Sequence, residues 1–301
     1  MTPAQYANAF RRLRVFLDGD PGANPPPTPL ALPEPGRTPP SLMQSPRQEF
    51  LDVKSYLLVS GGGAPSKPYY GKFGPALKSA QYIEAKIFRV DGTIETRSFQ
   101  YREIAYSLVT PFWGKGYPEE CQLALQLWDR LGFGPPDVRA MVAENGSIGL
   151  DCNGFVGGFL ERNRNPAQWL RSGGSMTGAP INELLRLNGA FLNSLADFVP
   201  ATNQLMLMAR CDANTGIVPD YNSTPVGHIV ITEPGTAARQ ADGAVTITVS
   251  ESTARVGIVT SVYTIRNVVK TTASGAIFSV QRGSKKGMPE EFDTFKARRL
   301  T

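Results

Sequence analysis

The sequence predicts an α+β fold, with helices early in the main domain and antiparallel strands after them. Three observations predict it. Between residues 100 and 200 apolar side chains recur at helical spacing, whereas beyond 204 runs of β-branched residues alternate with Gly, Pro, Asn and Asp. The two textures are segregated rather than alternating, and no internal repeat is visible. With 41% apolar and 19% charged residues in 301, the chain can bury a sizeable core and does not read as disordered.

Residues 4–17 read as a short, basic, partly helical segment whose Phe10, Val15 and Phe16 can dock on a partner or on the body of the protein. Residues 21–48 are dense in proline, which excludes a helix or a central strand. Residues 1–48 are therefore expected as a proline-rich N-terminal arm or linker. Residues 49–100 form an expected N-terminal extension, with a glycine-rich loop at 60–66 and a β-hairpin. The hairpin signal is two alternating runs, 82–90 and 93–101, joined by Asp91-Gly92.

Residues 101–301 are expected to be the main domain. Pro118 opens a helix that buries Cys121, Leu123, Ala124, Leu127, Trp128 and Leu131, and Gly132 stops it. Helices follow at 137–144 and 153–163, with one or two more at 181–198. Strands are expected at 205–209, 228–232, 245–250, 256–268 and 276–281, where β-branched residues concentrate. The basic run of Arg282, Lys285, Lys286, Lys296, Arg298 and Arg299 reads as a solvated tail.

The formal charge of +5 permits an anionic partner without selecting one. Three cysteines at no metal-like spacing argue against a disulfide framework, and nothing requires a Cys121–Cys211 bridge. His228 is the only histidine, so any imidazole chemistry must use it, and no metal or cofactor is expected. No apolar stretch reaches about 18 residues, which predicts no membrane span. The start lacks a secretory signal, so synthesis in the cytoplasm is expected, with a non-Sec route or lysis if the protein acts outside.

One segment carries chemistry: Gly149-Leu150-Asp151-Cys152-Asn153-Gly154-Phe155-Val156-Gly157-Gly158. A polar turn precedes an apolar helical run, so Cys152 falls at a helix N-terminus. There the dipole and the unpaired amides favour a thiolate and can receive an oxyanion. Taken alone, a cysteine beside apolar residues is more often a buried small hydrophobe, and a lone strand histidine is more often a satisfied core residue.

The joint pattern is more specific. Asp151-Cys152-Asn153-Gly154-Phe155-Val156 resembles the nucleophile motif of the NlpC/P60 superfamily, with Asn153 where serine is usual. Gly227-His228-Ile229-Val230-Ile231 resembles the same family's histidine strand. The resemblance implies a papain-like arrangement, helices packed on an antiparallel sheet, with Cys152 as nucleophile and His228 as base. A third residue then orients the imidazole. A hairpin register with Glu233 opposite Val245 sets Ser250 across from His228, and a slip of one brings Glu251 instead. Glu251 is favoured by the resemblance of residues 249–253 to family members. The turn places Asp151 and Asn153 at the substrate or oxyanion side. Pro111-Phe112-Trp113-Gly114 resembles a family stretch that shapes the site, with Phe for Tyr, so Trp113 and either Tyr117 or Tyr106 are further candidates.

Other classes are disfavoured. No Gly-x-Ser-x-Gly elbow or phosphate-binding Gly-x-x-x-x-Gly-Lys loop occurs, and nucleic-acid binding would rest on mild charge alone. The resemblance implies hydrolysis of an amide bond, above all in peptidoglycan peptides. A delivered bacterial toxin or a phage enzyme would fit, with a secretion machine, phage particle or immunity protein as partner. The alternatives are a non-catalytic binding or structural protein, and an acyltransferase or protein-directed peptidase using the same Cys-His pair.

Overall fold

The computed structural model describes residues 1–17, 47–57, 71–73, 82–89, 91–133, 136–165, 176, 179–199, 204–219, 227–254, 256–282 and 291–301. The proline-rich stretch 21–46 and the glycine-rich loop at 60–66 lie outside the described residues. The elements run α1 (Pro3–Arg11), β1 (Leu13–Leu17), β2 (Arg47–Leu51), β3 (Tyr82–Phe88), β4 (Ile94–Gln100), α2 (Tyr101–Val109), α3 (Pro118–Arg130), α4 (Val138–Val142), α5 (Cys152–Arg164) and α6 (Ile181–Leu184). There follow β5 (Gly189–Phe191), β6 (Met206–Arg210), β7 (Ile229–Thr232), β8 (Ala238–Arg239), β9 (Val245–Thr253), β10 (Gly257–Thr272), β11 (Gly275–Arg282) and β12 (Glu291–Leu300).

The expected papain-like α+β arrangement, helices on an open sheet, is corrected by the topology. Strands pair in the order β10-β11-β12-β6-β7-β9, and β9 pairs back to β10, which closes a six-stranded antiparallel barrel. Strands β5 and β8 add to β12 and β9. Closure removes the free edges of the six strands. The element that closes the ring is β12, which lies in the region read as a solvated tail. Its alternation explains the error. Phe295 and Ala297 point into the barrel, while Lys296, Arg298 and Arg299 between and after them give the stretch the look of a charge run.

Strand β10 reaches round a corner of the barrel. It pairs with β9 over Gly257–Ile265 and with β11 over Tyr263–Thr272, with irregularities near Ile265 and Val268 that let one strand serve two neighbours.

Two apolar cores result. Met208, Val230, Val245, Ile247, Val249, Tyr263, Phe278, Val280 and Phe295 fill the barrel interior. Alternate residues of the same strands, Leu207, Ala209, Ile229 and Ile231, face outward and pack with Phe155, Val156, Phe159 and Leu160 of α5. The helix therefore lies across the outside of β7 and β9.

Residues 1–17 belong to the body: Tyr6, Phe10 and Val15 are fully buried, and β1 pairs with β2. The hairpin around Asp91-Gly92 and the helix opened by Pro118 form as expected. Of the one or two helices expected over 181–198, only two short pieces form, one turn at Ile181–Leu184 and a 3-10 turn at Leu195–Phe198. Between them Gly189, at φ 148, enters β5 against Leu300. No helix among the described residues is long and apolar enough to cross a membrane. Cys121 and Cys211 are free, so no bridge joins them.

Candidate active site

Cys152 is the first residue of α5, and Asp151 is its N-cap, accepting from the Gly154 amide at 2.6 Å. Such a cap contributes about 1 kcal/mol. By helix geometry the amides of Cys152 and Asn153 have no intrahelical acceptor, so they and the positive end of the dipole face whatever sits at the sulfur.

The turn before the helix is held by three neighbours. The Leu150 amide donates to Ser55 O at 3.3 Å, the Asp151 amide to Gly114 O at 3.1 Å, and the Ser252 hydroxyl donates to Leu150 O at 2.7 Å. Gly149 and Gly154 permit this crowding: a Cβ on the first would fall on the Ser55 carbonyl oxygen, and on the second on that of Gly114. The Lys115 ammonium bonds Asp151 at 2.5 Å and Asn153 at 2.8 Å, and the Asn153 amide donates to Ala179 O at 2.9 Å. Asp151 and Asn153, expected at the substrate side, therefore spend their side chains on fixing the turn. Burial pushes the Asp151 carboxyl up, against the opposing pull of Lys115.

The Cys152 thiol lies near enough to the His228 imidazole to raise its pKa. The ring's Nε2 lies 2.7 Å from Glu251 Oε2. Cys152, His228 and Glu251 thus meet at one site.

The register decides the third member. In β7–β9 pairing Ile231 sits opposite Ser250 and Thr232 opposite Val249, three residues away from the expected register. An odd slip exchanges the faces of a strand. Glu251 thus shares the face of His228, and Ser250 turns to the other side, where its hydroxyl donates to Glu233 at 2.8 Å. Ser250 is not part of the site.

Glu251 is itself held. Oε2 accepts from Tyr263 at 2.8 Å and from Arg282 at 3.1 Å as well as from His228. Burial pushes the Glu251 carboxyl up, but His228, Arg282 and Tyr263 together hold it below its ordinary range. Burial pushes the His228 imidazole down, yet its contacts with Cys152 and Glu251 outweigh this and raise it above 6.5.

Tyr56 supplies a group that the sequence did not announce. Its hydroxyl lies 3.9 Å from Cys152 Sγ, and burial, with the charges of Cys152 and Asp151, pushes the phenol up, so it remains a proton donor. No local pattern marks Tyr56; it reaches the site because residues 53–57 run beside the Gly149 turn. The tyrosine proposed in its place, Tyr117, is fully buried at the start of α3, with the Arg162 guanidinium 5.0 Å from its ring. Arg162 lies ten residues along α5 from Cys152, about 15 Å at the helical rise. Trp113 ends the short turn Thr110–Trp113, half-buried, just before the Gly114 carbonyl that anchors Asp151. Tyr106 sits within α2.

Cys152 is 2% exposed and His228 7%, so the pair is roofed in this conformation.

No protein-family model matches the chain, and no curated protein or solved structure matches it either.

Proposed function

We propose that this protein is a cysteine hydrolase that cleaves an amide bond through a thioester on Cys152. The observation that supports the reading best is the meeting of Cys152, His228 and Glu251, brought together by a helix tip, the residue before β7 and strand β9. A free thiol is only a few per cent thiolate at neutral pH, and a raised imidazole held by a carboxylate favours the thiolate–imidazolium pair.

The steps follow from these groups. The thiolate attacks the substrate carbonyl carbon, and the oxygen takes up the negative charge. The Cys152 amide and the Tyr56 hydroxyl are the donors best placed to receive it. The imidazolium gives its proton to the leaving amine, the C–N bond breaks and the thioester remains. His228 then takes a proton from water, which attacks the thioester and releases the acid and the thiol. The half-buried Tyr56 ring must shift for the acyl group to reach the sulfur.

The motif resemblance points to peptide amides of peptidoglycan as the substrate. Purified sacculi incubated with wild type and with Cys152→Ala, and read by mass spectrometry, test this: new amine and carboxyl ends are expected with wild type alone. The near-complete burial of Cys152 favours a second reading, a binding protein with a closed thiol. Iodoacetamide labelling separates the two. An enzyme labels Cys152 rapidly at pH 7 and loses that rate in His228→Ala, whereas a sealed thiol labels slowly in both.

A further inference from the structure

The neighbours of Glu251 continue round the barrel. At one end of the barrel the inward-facing core positions Met208, Val230, Val249, Val280 and Phe295 are flanked by Arg210, His228, Glu251, Arg282 and Asp293, each two residues away along its strand and so on the inner face. Tyr263 joins them from within β10. Each barrel strand, or its immediate flank for His228, contributes one member.

In strand order the contacts form a circuit. His228 meets Glu251 at 2.7 Å, Glu251 accepts from Tyr263 at 2.8 Å, and Tyr263 accepts from Arg282 Nε at 3.0 Å. Arg282 lies 3.5 Å from Asp293, and Asp293 accepts from Arg210 at 2.6 Å. The Arg210 amide donates to the His228 carbonyl at 2.8 Å, which returns to the start. Formal charges alternate: imidazolium, carboxylate, guanidinium, carboxylate, guanidinium.

We propose that Arg282 is a positioning residue of the Cys152–His228–Glu251 site. It fixes the Glu251 carboxylate, with Tyr263, and its own positive charge limits how strongly that carboxylate stabilises the imidazolium. The guanidinium reaches Glu251 Oε2 at 3.1 Å and approaches His228 Nε2 at 3.5 Å, so one cation touches both the base and its orienting acid. At such separations, partly buried, a unit charge moves a neighbouring titration by about one pH unit or more. The other charged or titratable groups around the imidazole are Cys152 and Asp151 at the head of α5, Lys115 and Tyr56 beside them, and Asp293 and Arg210 behind Arg282. Among the described residues, Arg282 is the cation that contacts the imidazole.

The inference rests on the hydrolase reading for its purpose but not for its test. With a single histidine in the chain, the imidazole Cε1–H resonance reports His228 without assignment. Its pH titration is followed in wild type, Arg282→Gln, Arg282→Lys and Cys152→Ala. Loss of the cation in Arg282→Gln is expected to raise the His228 midpoint by about one pH unit, and Arg282→Lys to restore most of the wild-type midpoint. A midpoint unchanged in a folded Arg282→Gln, judged by its amide spectrum, would overturn the proposal. So would an Arg282→Lys midpoint equal to that of Arg282→Gln. If Arg282→Gln does not fold, Arg282→Met takes its place: the charge role predicts the same rise in the His228 midpoint, whereas a purely structural role predicts the wild-type midpoint with only a loss of thermal stability. A wild-type midpoint that ignores Cys152→Ala speaks instead against the thiolate–imidazolium pair, and so against the hydrolase reading alone.

Discussion

The hydroxyl of Ser252 donates 2.7 Å to the carbonyl of Leu150, which ties the strand that carries Glu251 to the turn that carries Cys152. Ser252 is the next residue after Glu251, and Leu150 lies two positions before Cys152. The bond therefore sets the spacing between nucleophile and orienting acid. Ser252→Ala leaves a buried carbonyl unsatisfied, at about 1–3 kcal/mol. Thermal unfolding should show that loss, and thiol labelling of the folded variant at pH 7 should slow, because the sulfur drifts from the imidazole.

Gly154→Ala tests the same turn from the other side. A Cβ there would collide with the Gly114 carbonyl oxygen, and backbone cannot swing away as a flexible side chain can. The expected loss is about 1–3 kcal/mol or more. Gly154→Ser should be no better, which a denaturant titration of both variants would check.

Tyr56→Phe removes one hydroxyl and little volume. If that hydroxyl receives the oxyanion, kcat for an amide substrate falls about a hundredfold, within the range for one such donor. The iodoacetamide rate should stay near wild type, because alkylation forms no oxyanion. Equal losses in both measurements would assign Tyr56 to thiol activation instead.

Glu251→Gln keeps the shape and removes the charge. The imidazolium loses its nearest anion, so the His228 titration moves down, and turnover should fall about a hundredfold or more. A Gln variant with the wild-type titration midpoint would contradict the role assigned to Glu251.

The pair also sets a pH window for stability. Glu251 titrates below its ordinary 4.5 in the fold, so its contribution is present above 4.5 and is lost as pH falls through the folded value. His228 titrates above its ordinary 6.5, so its contribution is full below 6.5 and is lost as pH rises through the folded value. The two overlap between pH 4.5 and 6.5. The melting-temperature difference between wild type and His228→Gln should be greatest there and narrow on either side.

Much of the site was legible in the sequence, while the barrel was not. Cys152 and its helix were visible because a polar turn with Asp151, Asn153 and Gly154 leads into an apolar run at helical spacing, which is a local pattern. Closure of a barrel is not local. It depends on β12 lying between β11 and β6, and that strand carries outward Lys296 and Arg298 among its inward apolar residues. The β7–β9 register was missed for a related reason: the connection between the two strands bulges through Thr236 and β8, so simple hairpin counting misplaces the pairing by three. Arg282 and Tyr263 could have been suspected from alternation alone. Phe278, Val280 and Arg282 share a face, and an arginine ending an inward-facing row needs a partner there.

The position of β12 has a consequence for the timing of biosynthesis. Asp293 lies on the strand that follows every other described element, so a ribosome has made Cys152, His228 and Glu251 before the barrel can shut around them. Until Glu291–Leu300 inserts, Arg282 lacks its Asp293 counter-ion and the two strands flanking the gap have open edges. A nascent chain would therefore hold Cys152, His228 and Glu251 beside an open barrel, and the ring of charges behind them would be completed only when β12 docks.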